Sequence, residues 1–135
     1  MASRTHASSG SPYEASIGFA RAVRIGRHVF VSGTAPLEAD GSSTPGDAGA
    51  QAMRCLQIVI EAIESLGGAA EDVVRTRILL VDPADADAVG RAHGRVFGHV
   101  RPASTMIAGL RLLRPEWRVE IEAEALLAGD GGCNG

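Results

Sequence analysis

Near its C-terminus the chain alternates acidic and apolar residues: Val119-Glu-Ile-Glu-Ala-Glu-Ala125. Strand residues two apart share a face, so Glu120, Glu122 and Glu124 project one way. Val119, Ile121, Ala123 and Ala125 project the other way. Three carboxylates on one face fit a wet outer surface, or the border of a cleft where one carboxylate handles a proton or a water. Just upstream, Arg101-Pro-Ala-Ser-Thr-Met106 sets the hydroxyls of Ser104 and Thr105 in a turn that begins with a guanidinium. A third group, Ser32-Gly-Thr34, ends an apolar strand. There a glycine permits close approach of a bound carbonyl or carboxylate to backbone N–H groups. Ser32 lacks the Gly-x-Ser-x-Gly frame of a nucleophile elbow and serves equally well as a strand-end hydroxyl bonding the backbone.

Composition narrows the chemistry. At 135 residues the chain suits one domain with a real core, not two. A net charge of −3 argues against a phosphate-backbone binder, which needs clustered cations. All 13 basic residues are Arg, which excludes Schiff-base catalysis and a phosphate-loop Lys. His6, His28, His93 and His99 have no ligand-like spacing to one another or to Cys55 and Cys133, so no metal site is expected. His93 and His99 read as surface or helix-end residues. Two distant cysteines and no membrane-length apolar run point to a reduced, cytoplasmic protein without membrane contact.

The elements that must position these groups follow from periodicity. Residues 1–10, polar and small, read as a flexible end, and 128–135 as a flexible tail; one domain fills 11–127. Residues 20–25 and 28–34 form two strands joined by Gly26-Arg27, a hairpin signal. Asp47 caps a helix to residue 66, with the apolar stripe Ala52, Leu56, Val59, Ile63 and Leu66. Residues 73–81 form a strand. Asp82-Pro83 then opens a second helix, whose Gly90, Gly94 and Gly98 share a face suited to close packing or to a ligand groove. Strands over about 104–110 and 117–127 follow, with Arg111, Arg114 and Arg118 assigned to an exposed final hairpin. The order ββαβαββ is an α+β two-layer sandwich, one mixed sheet with two helices on one face. An apolar opposite face would be hidden most simply by self-association.

Several segments occur together in a known order: Arg21-Ala-Val-Arg-Ile-Gly26, Val29-Phe-Val-Ser-Gly33, Asp72-Val-Val-Arg-Thr76, Pro102-Ala103 and Val119-Glu-Ile-Glu-Ala123. From about residue 18 to 125 the chain resembles the reactive intermediate/imine deaminase family (Rid, also called YjgF). The resemblance implies a chorismate-mutase-like subunit and a homotrimer around a central barrel, with ligand clefts between neighbours. It also implies hydrolysis of enamine and imine metabolites without metal or cofactor. Glu120 matches the family's water-positioning glutamate, and Phe19 falls where many members have Tyr; Tyr13 lies outside that register. Gly90 replaces an Asn ligand contact. Ser104, followed by Thr105, replaces the Arg that clamps the substrate carboxylate in deaminating members.

The expected substrate-holding set is therefore Phe19, Arg21, Ser32, Gly33, Thr34, Gly90, Arg101, Ser104 and Thr105 around Glu120. Arg21 or Arg101 could return a guanidinium to the cleft; otherwise Arg21 is a solvated strand residue and Arg101 a helix-end charge. A hydroxyl-lined site suits a neutral or differently charged substrate. Two other readings stay open: a non-catalytic ligand-binding or regulatory trimer, and, third, an endoribonuclease-type activity.

Overall fold

The computed structural model describes residues 3–129. Strand β1 spans Arg4–Ala7, helix α1 Pro12–Ile17, β2 Ala22–Ile25, β3 His28–Thr34 and α2 Ala48–Ser65. They are followed by β4 at Val73–Leu80, α3 at Ala86–Phe97, β5 at Ala103–Ile107 and β6 at Val119–Leu126. The six strands form one mixed sheet in the order β1-β2-β3-β6-β4-β5, with β4 and β5 parallel and the other pairs antiparallel. α2 lies over β3 and β6, and α3 packs beside it. The expected α+β sandwich is the observed architecture.

Helix α2 forms where its stripe predicts. Ala52, Leu56, Val59 and Ile63 are fully buried against Val29, Val119 and Ile121 of the sheet. Asp47 caps it, its carboxylate accepting from the Ala50 N–H at 2.9 Å. Asp47→Ala is expected to cost about 0.5–2 kcal/mol in a denaturant titration, because that N–H then loses its acceptor.

Four local expectations need correction. Residues 4–10 are not a loose end: β1 pairs from Arg4↔Ile25 to Ala7↔Ala22 and buries Ala7. Backbone pairing along an open sheet edge holds a segment that its composition alone would leave free. Helix α1 is absent from the expected order, although Ser11-Pro12 is a cap followed by proline at the first helical position. The Ser11 hydroxyl accepts from the Tyr13 N–H, and Gly18 ends the helix in the left-handed region at φ 92°. Asp82-Pro83 starts a single 3-10 turn over Pro83–Asp85, and α3 begins only after it. Finally, β5 and β6 are no hairpin, since β4 lies between them. Of the C-terminal tail expected over 128–135, only residues 128 and 129 fall within the described residues; Cys133 lies outside them.

The helix-free sheet face carries large apolar side chains beside the acidic ladder. Phe30, paired with Val23 and Glu124, is 44% exposed, and Ile107, paired with Leu79, is 46% exposed. No helix among the described residues is long and apolar enough to cross a membrane.

Candidate functional site

The three glutamates of β6 meet different fates. Arg77 on β4 reaches Glu122 at 3.3 Å and Glu124 at 3.4 Å, holding both in ion pairs. Glu120 lies next to Leu79 and receives no hydrogen bond from any side chain among the described residues. Its carboxylate instead borders a cavity of about 400 Å³. Burial pushes its pKa up; Arg21 pulls it partly back, and Glu122 adds to the rise. A half-buried, unpaired carboxylate facing a cavity is poised to accept a proton.

Gly33 explains how the carboxylate fits. Between Val31 and Thr34 the β3–β6 register shifts, bending β3 at its last turn. A Cβ at Gly33 would stand 2.9 Å from Glu120 Oε1, so only glycine admits the carboxylate in this position. Gly33→Ala therefore displaces the tip of a flexible side chain. The expected result is little loss of stability and a displaced Glu120 carboxylate, read in a crystal structure of the variant.

Behind Gly33 stands a buried ion pair. Arg21 Nη1 donates to the Gly33 carbonyl at 2.6 Å and to Thr34 Oγ1 at 3.1 Å, while its Nε reaches Glu14 at 3.3 Å. Glu14 also accepts from the Ser8 hydroxyl at 2.8 Å, the Ser9 hydroxyl at 2.6 Å and the Ser9 N–H at 3.2 Å. Arg21 is thus no solvated strand residue: it is 4% exposed, and it lies against the Phe19 ring. Ser8 and Ser9, just after β1, and α1, through Glu14, brace the backbone against which Glu120 rests.

Aromatic rings form the opposite wall. Tyr13 and Trp117 meet edge to face at 6.1 Å, and Phe19 lines the same cavity. Tyr13, set aside on register, is therefore a cavity residue. Arg114 is drawn in with it, donating to Tyr13 Oη at 3.2 Å and to the Gly41 carbonyl at 3.0 Å, its guanidinium lying over both rings. It does not belong to an exposed hairpin.

With this geometry in hand, residues 10–127 match the family described as Endoribonuclease L-PSP. The chain belongs to that family, the YjgF or Rid family. An uncharacterized protein of Streptomyces coelicolor is 41% identical over 117 residues, covering 87% of both chains. A RutC family protein of Pyrococcus abyssi is 28% identical over 80% of this chain and 84% of its own. Among solved structures, a Mycobacterium tuberculosis member of the YjgF/YER057c/UK114 family superposes with a TM-score of 0.85 at 39% identity. It covers 93% of this chain and 100% of its own.

Set on this YjgF frame, the expected substrate-holding residues divide into two groups. Phe19, Arg21, Gly33, Thr34 and Glu120 line one cavity. Ser32 stands behind it, its hydroxyl donating to the Ala20 carbonyl at 2.8 Å, and the Thr34 hydroxyl donates to the Ser32 carbonyl at 2.7 Å. Gly90, Arg101, Ser104 and Thr105 lie outside that cavity, on α3 and around β5. Thr105 pairs with Arg77 on the face that carries Glu120, whereas Ser104 pairs with Thr76 on the helix-covered face. Thr76 Oγ1 donates to Ser104 Oγ at 2.8 Å and sits 2.9 Å from His93 Nε2. His93 is accordingly half-buried rather than a free surface residue. Its ring lies 5.0 Å from Phe97, and burial pushes its pKa down. Arg101 is exposed and takes the left-handed conformation at φ 57°, ending the α3 segment.

Cys55 lies in the buried face of α2. Burial first, and then the charge of Glu120, push its thiol pKa up, so it stays protonated and unreactive. Among the described residues no group of three His, Cys, Asp or Glu side chains is placed to hold a metal ion.

Proposed function

We propose that this YjgF-family chain hydrolyses a reactive imine or enamine, with Glu120 orienting and deprotonating the attacking water. One observation carries the reading: of three glutamates on one strand face, only Glu120 is left without a cation partner and turned to a cavity. In the reaction, water oxygen bonds to the C=N carbon as Glu120 takes a water proton, and the π electrons pass to nitrogen. Glu120 then returns that proton to nitrogen, giving a carbinolamine. It next takes the hydroxyl proton as the carbonyl forms and passes it to the departing nitrogen, so the C–N bond breaks, ammonia leaves and the carboxylate is restored. No redox partner is needed, and the residues already described supply the proton relay.

The working form proposed is a homotrimer with inter-subunit clefts. The exposed Phe30, Ile107 and Leu126 on the helix-free face support it, since large apolar side chains there would be covered. Gly90, Arg101, Ser104 and Thr105 cannot complete the Glu120 cavity of their own chain. In the trimer they would be offered from a neighbouring copy to a small-molecule metabolite.

A non-catalytic, ligand-binding trimer is the second reading. What favours it is the want of a carboxylate clamp: Ser104 is engaged with Thr76, and Arg21 with Glu14 and Gly33. An endoribonuclease-type activity has the family's description in its favour, but the net charge and the carboxylates at the cavity oppose a polyanion.

The test generates imines in situ with an amine or amino-acid oxidase and follows carbonyl and ammonia release in competition with semicarbazide trapping. Acceleration that Glu120→Gln abolishes is expected. No acceleration for any imine, with a ligand still bound, favours the second reading, and salt-sensitive RNA binding with cleavage would favour the third.

A further inference from the structure

The cavity beside Glu120 is larger than a small imino acid requires. Its volume of about 400 Å³ falls in the range of pockets that enclose ring-containing ligands. Tyr13, Phe19, Ile58 and Trp117 give it an apolar side, opposed by hydroxyl and charged groups elsewhere in the lining. At its mouth stand Ile17 and Leu113, 63% and 70% exposed, two of the largest apolar exposures among the described residues. Single exposed aliphatic residues need no explanation, but two at one cavity rim form an apolar entrance.

Charge sets the other half of the specificity. Three carboxylates line the cavity, Glu38, Glu61 and Glu120, against two guanidiniums, Arg21 and Arg54, and Glu38 and Arg54 offset each other at 4.0 Å. Both guanidiniums are already engaged. Arg21 is held by Glu14 and the Gly33 carbonyl, and Arg54 donates to the Leu37 carbonyl at 2.7 Å and to Gln57 at 3.1 Å. Glu14 pairs with Arg21 at 3.3 Å and offsets part of its charge, the remainder drawing on the Glu120 carboxylate. Within one chain's own lining an anionic ligand would therefore meet Glu120 without a free cation to hold it, and phenylacetate binding tests whether the Arg101 of a neighbouring copy supplies one; a neutral or protonated nitrogen would be welcome there.

We infer that the substrate is an amine-derived imine: an uncharged or protonated C=N group on an apolar body of aryl size, with no carboxylate beside it. This rests on the hydrolytic reading for its chemistry and on the cavity alone for its recognition. Hydrolysis would then yield an apolar aldehyde or ketone and ammonia, so the supplying reaction is the oxidation of an amine rather than of an amino acid.

Trp117, the one tryptophan of the chain, lines the cavity, and its emission reports occupancy without any turnover. Four probes divide the claim: 2-phenylethylamine, 2-phenylethanol, phenylacetate and ethylamine. The first two are expected to bind saturably. Phenylacetate should bind at least about tenfold more weakly, and ethylamine should produce no saturable change. Leu113→Asp, a change at an exposed position that leaves the fold intact, should weaken the aryl ligands several-fold. Phenylacetate binding as tightly as the amine, ethylamine matching it, no saturable binding by any aryl probe, or an unaffected Leu113→Asp variant would each overturn the inference. Selective aryl-amine binding without carbonyl release from the matching imine would leave it standing and remove the hydrolytic reading. Rapid turnover of small imino acids without aryl preference would do the reverse.

Discussion

Glu120→Gln is expected to lower the rate of imine hydrolysis by about 10²–10⁴-fold, the usual contribution of a positioned general base, while raising the melting temperature at neutral pH. The two effects share one cause. Burial, opposed by Arg21 and reinforced by Glu122, makes the folded protein hold a proton on Glu120 more readily than the unfolded chain does. A carboxylate with a raised folded pKa contributes stability below its unfolded pKa and loses it as pH rises through the folded value. At neutral pH the ionised group is therefore a burden on the fold, and a neutral amide of the same shape relieves it. The stability difference between the two proteins should shrink as pH falls below the ordinary carboxylate range. Activity has the opposite dependence: it needs the ionised form, so the acid limb of the rate profile lies above that of an ordinary carboxylate. Glu122→Gln removes one raising influence and should move the limb toward lower pH. A Glu120→Gln protein that keeps its turnover, or loses stability at neutral pH, would show that this carboxylate does not act as described.

How much of this was legible in the sequence varies with the range of the interaction. The period of two in β6 and the period near 3.6 in α2 are local, and both elements sit where those periods put them. The fate of the three glutamates is not local. One residue on a neighbouring strand, Arg77, separates Glu122 and Glu124 from Glu120, and nothing in the spacing of β6 announces it. Ser104 and Thr105 are adjacent in the chain, yet pairing with Thr76 and Arg77 turns them to opposite faces of the sheet. The N-terminal segment was misread for a related reason. Small polar residues suggest a free end, but here their value is as hydrogen-bond donors to a carboxylate several residues on. The signal that could have revealed α1 was present in Ser11-Pro12 and Gly18. The significance of Glu14 within it emerges only once Arg21 is seen to be buried.

That burial leads to the largest expected effect on stability. Glu14 and Arg21 have side chains only 8% and 5% exposed, and removing one partner leaves the other charge buried and unpaired. Glu14→Ala is expected to cost about 3–5 kcal/mol, a fall in Tm of roughly 10–20 °C for a domain of this size. Burial by itself would raise the Glu14 pKa. The Ser9 and Ser8 hydroxyls, the Ser9 N–H and Arg21 together outweigh burial, and the net shift is downward. The contribution of Glu14 is thus present above the ordinary carboxylate range and disappears as pH falls through its depressed folded value. Acid should narrow the gap between Glu14→Ala and the parent.

Replacing both partners tests whether the pair serves stability or function. A Glu14→Leu/Arg21→Met protein leaves no buried charge and should recover most of the lost stability. It still lacks the guanidinium that braces the Gly33 carbonyl and the Thr34 hydroxyl, so Glu120 loses the surface it rests on. Turnover should stay depressed at pH values where the double variant is fully folded. Full activity in that protein would reduce the ion pair to a means of fastening the N-terminal segment. Stability as poor as that of Glu14→Ala would show that the serine hydroxyls, left without an acceptor, matter more than the charge.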